Sequence, residues 1–203
     1  MDWLLDRGYR ILGTSFYWQP TGIVARSLLG KYLVRFLDGM TLVGRIVETE
    51  AYYHSNDPAC HAYRGMTKRN EMMFGTSGRA YVYFTYGNHY LLNVVTGKIG
   101  KGEAALIRAL EPIEGLEVMR LNRNREKERD LTTGPGKLAQ AMAIDLSLNG
   151  CDLRKSELVI ARREKKQDFK IERSRRIGIS EGKELLERYY IAGNKFVSVS
   201  PKD

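Results

Sequence analysis

Two glutamates, Glu48 and Glu50 in the run RIVETEAY, are the side chains whose type and spacing first suggest chemistry. On a strand, residues two apart share a face and lie about 6.6 Å apart along the backbone, a separation that also suits a pair of carboxyls working as acid and base at a glycosidic bond. Leu42, Gly44 and Ile46 precede them in the same alternation, so the expectation is one strand face that begins apolar and ends in two carboxylates. An ionised carboxylate in a buried stripe is costly unless it is paired or employed. The alternative is a strand that emerges into solvent with two ordinary surface groups.

A second set lies in residues 79–95, RAYVYFTYGNHYLLNVV, where two strand-like runs flank Gly87 and Asn88. Tyr81, Tyr83 and Thr85 share one face, Val82, Phe84 and Tyr86 the other, and Asn93 comes back on the return strand. Rings facing inward and a ring at the tip fit an enzyme that stacks on an extruded base while wedging the duplex it left. The alternative is a core hairpin with tyrosines at its edges.

Other candidates surround these. The polar loop from Tyr52 to His61 turns at Asp57-Pro58; Glu48, Glu50, Asp57 and His61 can be drawn as a metal site, but their spacing follows no known ligand motif. Arg108, a charge inside the apolar run 104–109, needs a partner, for which Glu50 is a candidate. In the segment TTGPGK, Thr133 can cap and Pro135 can start a helix whose free N–H groups, with Lys137, suit a phosphate. Arg64, Lys68, Arg69 and Arg79 flank the hairpin.

These residues need elements to position them. The sequence predicts a short helix from Thr21, its expected cap, to a stop at Gly30. It predicts strands over 31–37 and 41–50 joined at Asp38-Gly39, a helix over 67–74, the hairpin, a strand over 104–109, a charged helix over 114–129, and strand-like runs around Leu158, Ile177, Tyr190 and Val197. Residues 1–20 read as an arm or covering segment. The length of 203 residues and 43% hydrophobic content favour one domain over 1–203. A formal charge of +9 points to a polyanion, with nucleic acid ahead of a membrane. Two distant cysteines, Cys60 and Cys151, and a start unlike a signal peptide predict an intracellular, reduced protein with no structural zinc.

Taken together, RIVETEAY, the loop ending in His61, YVYFTYG with Asn93, LIRALEP and GPGKLAQAMAI form an ordered pattern that resembles the alkyladenine DNA glycosylases, the 3-methyladenine DNA glycosylase family of the human type. The resemblance runs from about Ala25 to Val199. It implies an α+β fold: a compact mixed domain with a curved antiparallel sheet, surrounding helices and a β-hairpin that enters the DNA minor groove. It implies a monomer that excises damaged purines from double-stranded DNA without cofactor, metal or lyase step. By position, Glu50 matches the general base, and Arg108 and the main-chain carbonyl of Val197 the further anchors of its water. Tyr52, His61 and Tyr83 match the residues that hold the base, Tyr81 the one that orients His61, and Asn93 the one that crowds a guanine 2-amino group. Tyr86 matches the side chain that fills the vacated gap. The pattern gives Glu48 no role, and at Gly87-Asn88-His89 the tip departs from the human sequence beyond the glycine.

Two other classes use similar residue types. A metal-dependent nuclease would gather the carboxylates around a cation, but the ligand spacing for one is missing. A non-catalytic binding module would use the aromatics as a stacking platform, but lacks the repeat of aromatics such platforms show.

Overall fold

Asp38 and Gly39 both take left-handed backbone angles, φ +48° and +78°, as a two-residue type I′ turn demands, and the expected hairpin closes on them with Leu37 opposite Met40. The chain runs α1 (Asp2–Asp6), β1 (Tyr9–Ile11), α2 (Thr14–Tyr17), α3 (Thr21–Leu28), β2 (Tyr32–Leu37), β3 (Met40–Tyr52), a 3-10 turn at Glu71–Phe74, β4 (Ala80–Thr85), β5 (His89–Thr96), β6 (Glu103–Glu114), α4 (Leu116–Arg123), α5 (Arg129–Thr132), α6 (Pro135–Ala141), a 3-10 turn at Leu146–Leu148, β7 (Leu158–Arg163), β8 (Ile171–Ser174) and β9 (Arg188–Ile191). These are the elements of the computed structural model, which describes residues 2–85, 87–164 and 168–199.

The strands form one open sheet in the order β1-β7-β2-β3-β6-β5-β4, with every neighbour antiparallel. Helices α3 to α6 contribute to its main apolar core, giving a single compact α+β domain. Among the described residues no helix is long and apolar enough to cross a membrane.

Strand β3 is where the sheet divides. Along one edge it pairs with β6 over most of its length. Along the other it pairs with β2 as far as Arg45, and from Glu48 to Glu50 with β9 instead. Two irregularities accompany the change. Between Ile46 and Glu48, β3 advances two residues while β6 goes only from Leu110 to Ala109; between Glu48 and Thr49, β6 goes from Ala109 to Ile107, past Arg108.

Such bulges re-aim side chains. Ile46 and its neighbour Val47 consequently both join the main core, with Leu42 and Ala51, and Thr49 Oγ1 donates to Ala25 O of α3. The expected continuous face is thereby corrected: Glu48 and Glu50 lie on the side of the sheet opposite Leu42 and Ile46, because the extra residue Val47 reverses the alternation.

Other departures have local causes. The helix expected over 114–129 ends at Arg123, where Asn124 takes φ +49°, and resumes as α5. Of 67–74 only Glu71–Phe74 is helical, as a 3-10 turn. Thr21 lies inside α3 rather than capping it; its hydroxyl donates to Glu103 Oε2 at 2.6 Å. Thr133 does not cap α6, whose cap position is Gly134. Ile177 and Val197 lie in loops, not strands. Near the N-terminus β1 extends the sheet beside β7, and Leu4, Tyr9 and Tyr17 are buried.

Candidate active site

Strand β4 alternates as its sequence requires, and the face carrying Tyr81, Tyr83 and Thr85 borders a cavity of about 370 Å³. Tyr52, His61, Asn93 and Arg108 line the same cavity, which the loop 177–180 and Pro135 help to close. Its size is that of a small-molecule site. Asn93 sits opposite Tyr81 and donates its side-chain amide to the Tyr81 carbonyl at 3.2 Å.

His61 reaches the cavity because its neighbours are anchored. Cys60 and Ala62 are buried in a small cluster with Met73, Phe74 and Tyr81, and Asn70 Nδ2 donates to the His61 carbonyl at 2.7 Å. His61 Nδ1 shares a 3.0 Å hydrogen bond with Tyr81 Oη, and the His61 ring meets Tyr83 edge-on at 4.5 Å between centroids. Behind Tyr83 lies the Arg69 guanidinium, 5.6 Å from the ring centre. Burial, and then the Arg69 charge, hold the imidazole below its ordinary pKa, so its neutral form prevails at pH 7.

Glu50 is fully buried and is held by three residues that line this cavity. Tyr52 Oη donates to its Oε2 at 2.8 Å. The Ile177 N–H donates to its Oε1 at 2.8 Å, and Arg108 Nη1 is 3.3 Å from the same oxygen. The expected pairing of Arg108 with Glu50 is therefore present, but Arg108 is shared: its Nε donates to Glu48 Oε1 at 3.0 Å. Glu48 is also fully buried and accepts from Arg188 Nε at 2.7 Å and from the Ser198 N–H at 2.6 Å. Burial alone would push the Glu48 carboxyl up; Arg108, Arg188 and the Ser198 N–H outweigh it and hold the group below its ordinary range.

Asp57 does not face the glutamates as a fellow ligand. Its two oxygens accept from the two terminal nitrogens of Arg176, each at 2.6 Å, and both side chains are fully excluded from solvent. Arg176 also stacks on Tyr52, 4.5 Å from the ring centre, and donates to the Ala51 carbonyl. Among the described residues no three His, Cys, Asp or Glu side chains gather as metal ligands do.

The remaining candidates are more dispersed. Val197 is buried, one residue before the Ser198 N–H that Glu48 holds. Lys137 is half-buried in the first turn of α6, whose Pro135 borders the cavity. Tyr86 lies outside the described residues. The other end of the tip is braced by α6: a Cβ added to Gly136 would fall 2.8 Å from His89 Cγ.

The sequence did not mark Ile177, Arg176, Arg188 or Ser198 as site residues. The segment 175–182, RRIGISEG, offered one signal. Gly178 and Gly182 take φ of +77° and +61°, which breaks the strand that its isoleucines suggest.

Comparisons with known proteins give the family of the chain. A family profile described as Methylpurine-DNA glycosylase (MPG) matches residues 15–195. A Carboxydothermus hydrogenoformans protein named "Putative 3-methyladenine DNA glycosylase" is 54% identical over 189 residues, 93% of this chain and 98% of its own. Proteins of the same name from Chlorobium phaeobacteroides, 52% identical over 92% of this chain and 94% of theirs, and from Francisella tularensis, 51% identical over 86% and 91%, are similar as well. The chain belongs to the methylpurine-DNA glycosylase family. It is thus a DNA N-glycosylase, a repair enzyme acting on DNA with damaged bases.

Proposed function

We propose that the chain, acting as a monomer, flips alkylated and deaminated purines out of double-stranded DNA and hydrolyses their N-glycosidic bonds, with Glu50 as general base. The substrate class is 3-methyladenine, 7-methylguanine, hypoxanthine and ethenoadenine. The observation that carries this reading is a buried carboxylate held by Tyr52, Arg108 and Ile177, three residues that line the aromatic cavity. A carboxylate has about four acceptor positions; Tyr52, Ile177 and Arg108 occupy three of them on Glu50, which leaves one for a water aimed at the sugar C1′. Arg108 and the Val197 carbonyl complete that water's anchorage.

Tyr52, His61 and Tyr83 hold the extruded base. Alkylation at N3 or N7 makes the purine cationic and its bond labile, and electron-rich rings attract it. A neutral imidazole at His61 adds no repulsion. Hypoxanthine leaves through a neutral bond and needs protonation as it departs. Asn93 crowds the 2-amino group of normal guanine, and Tyr86 fills the gap in the duplex. The enzyme acts inside the cell on the genome, uses no cofactor, and leaves an abasic site with the strand intact.

Duplexes each carrying one lesion, incubated with enzyme and then alkali, test the reading. Glu50→Gln keeps shape but cannot take a proton, so lesion binding should persist while base release falls by about 10²-fold or more. Wild-type release should continue in EDTA. Near-normal release by Glu50→Gln would falsify the general-base role.

A further inference from the structure

Glu48 has no part in the chemistry above, yet four donors converge on it. Arg108 Nε, Arg188 Nε and Ser198 Oγ lie 3.0, 2.7 and 2.9 Å from Oε1, and the Ser198 N–H donates to Oε2 at 2.6 Å. They come from β6, β9 and the segment beyond β9, and the carboxylate that gathers them is two residues from Glu50.

Two of these bonds bear on the water. With Nε held by Glu48, the planar Arg108 guanidinium has little freedom except about that bond, and it presents Nη1 to Glu50 at 3.3 Å. The Ser198 N–H belongs to the same peptide unit as the Val197 carbonyl, and the described chain has no cis peptides. In a planar trans unit the N–H and C=O point in opposite directions. Fixing the N–H on Glu48 therefore turns the Val197 oxygen away from Glu48. Arg188, held by the same carboxylate, donates Nη2 to the Val199 carbonyl at 2.6 Å and ties down the segment one residue further on.

We propose that Glu48 is a positioning residue, which sets the orientation of Arg108 and of the Val197 carbonyl and thereby the place of the water that Glu50 activates. The proposal rests on the function given above. Its competitor is a carboxylate that merely neutralises two buried arginines, a task it could perform nearly as well one methylene further back.

Glu48→Asp separates the two. It keeps the charge that Arg108 and Arg188 need but cannot reach all four donors at once. Single-turnover release from a hypoxanthine duplex at saturating enzyme, lesion-duplex Kd and thermal melting are measured for wild type, Glu48→Asp, Glu48→Gln and Glu50→Gln. The expected result is a folded Glu48→Asp that binds the lesion as wild type does and releases base about 10²-fold more slowly, the scale of loss for reacting groups misplaced by an ångström. Its pH profile should follow that of wild type, whereas Glu50→Gln should lose the limb that reports a general base. Wild-type release by Glu48→Asp, or failure of that variant to fold, overturns the proposal. If wild type itself releases no base, the function proposed above fails; if wild type is active and Glu50→Gln alone is slow, only the role of Glu48 falls.

Discussion

Ile177 donates its main-chain N–H to Glu50 across 127 residues of sequence, and its neighbour Arg176 is locked to Asp57 by two 2.6 Å bonds out of solvent. The proposed base is thus steadied by a loop whose own anchor is a buried ion pair. Asp57→Ala would leave Arg176 charged and buried without its carboxylate, a change that costs about 3–5 kcal/mol. Denaturant unfolding should show that loss, and release per folded molecule should fall with it. Unaltered release by the folded fraction would show that the pair supports the fold but not Glu50.

His61 supplies a pH dependence. Its folded pKa lies below the ordinary 6.5 because of burial and Arg69, so the unfolded chain takes up the proton first. Stability from this group is full above 6.5 and declines as pH falls from there through the folded pKa. Arg69→Met should move the His61 titration upward, which NMR of the ring carbons would read directly. Excision of cationic lesions should weaken over the same interval, as His61 becomes charged.

In the same cavity, Asn93→Ser shortens a lining side chain and ends its bond to the Tyr81 carbonyl. Guanine-type bases should then be excised faster relative to hypoxanthine. Competition between the two in one reaction would expose an unchanged ratio, and with it a different guard against guanine.

The hairpin tip depends on its seat against α6. Gly136→Ala brings a methyl within 2.8 Å of His89 Cγ unless the tip moves. Displacing it should slow capture of a paired lesion more than of a mismatched one, since opening costs a few kcal/mol and least where pairing is poor. Tyr86→Ala should share that pattern. Equal losses on both substrates would assign the defect to folding or chemistry.

Binding to undamaged duplex should weaken steeply with salt, as a protein of charge +9 displaces counterions from several phosphates. Lys137→Ala should lower affinity for damaged and plain duplexes alike and make the slope of log K on log salt shallower by about one. A loss confined to one lesion would rule out a phosphate contact at Lys137.

Much of this arrangement is local and could be read from the chain. Asp38-Gly39 marks a tight turn by its chemistry, and the period of two alone puts Tyr81 and Tyr83 on one face. The roles given to Arg108 and Val197 came from the family pattern. Val47 was hidden, because an apolar β-branched residue in a strand carries no mark of being the extra one; the register of β6 makes it so. The contacts of Glu48 were hidden for another reason: Arg188 and Ser198 lie 140 and 150 positions downstream, and no local pattern pairs residues across such distances.

The exchange of partners along β3, from β2 to β9, also sets an order of events during synthesis. Strands β2 to β6, which with their connections carry the tyrosines, His61 and Asn93, leave the ribosome ahead of β9. Until Ile177, Arg188 and Ser198 follow, Glu50 has neither its main-chain donor nor a fixed Arg108 beside it. The donors of Glu48 and Glu50 are thus completed only after the cavity-lining residues of β4 and β5 have been made.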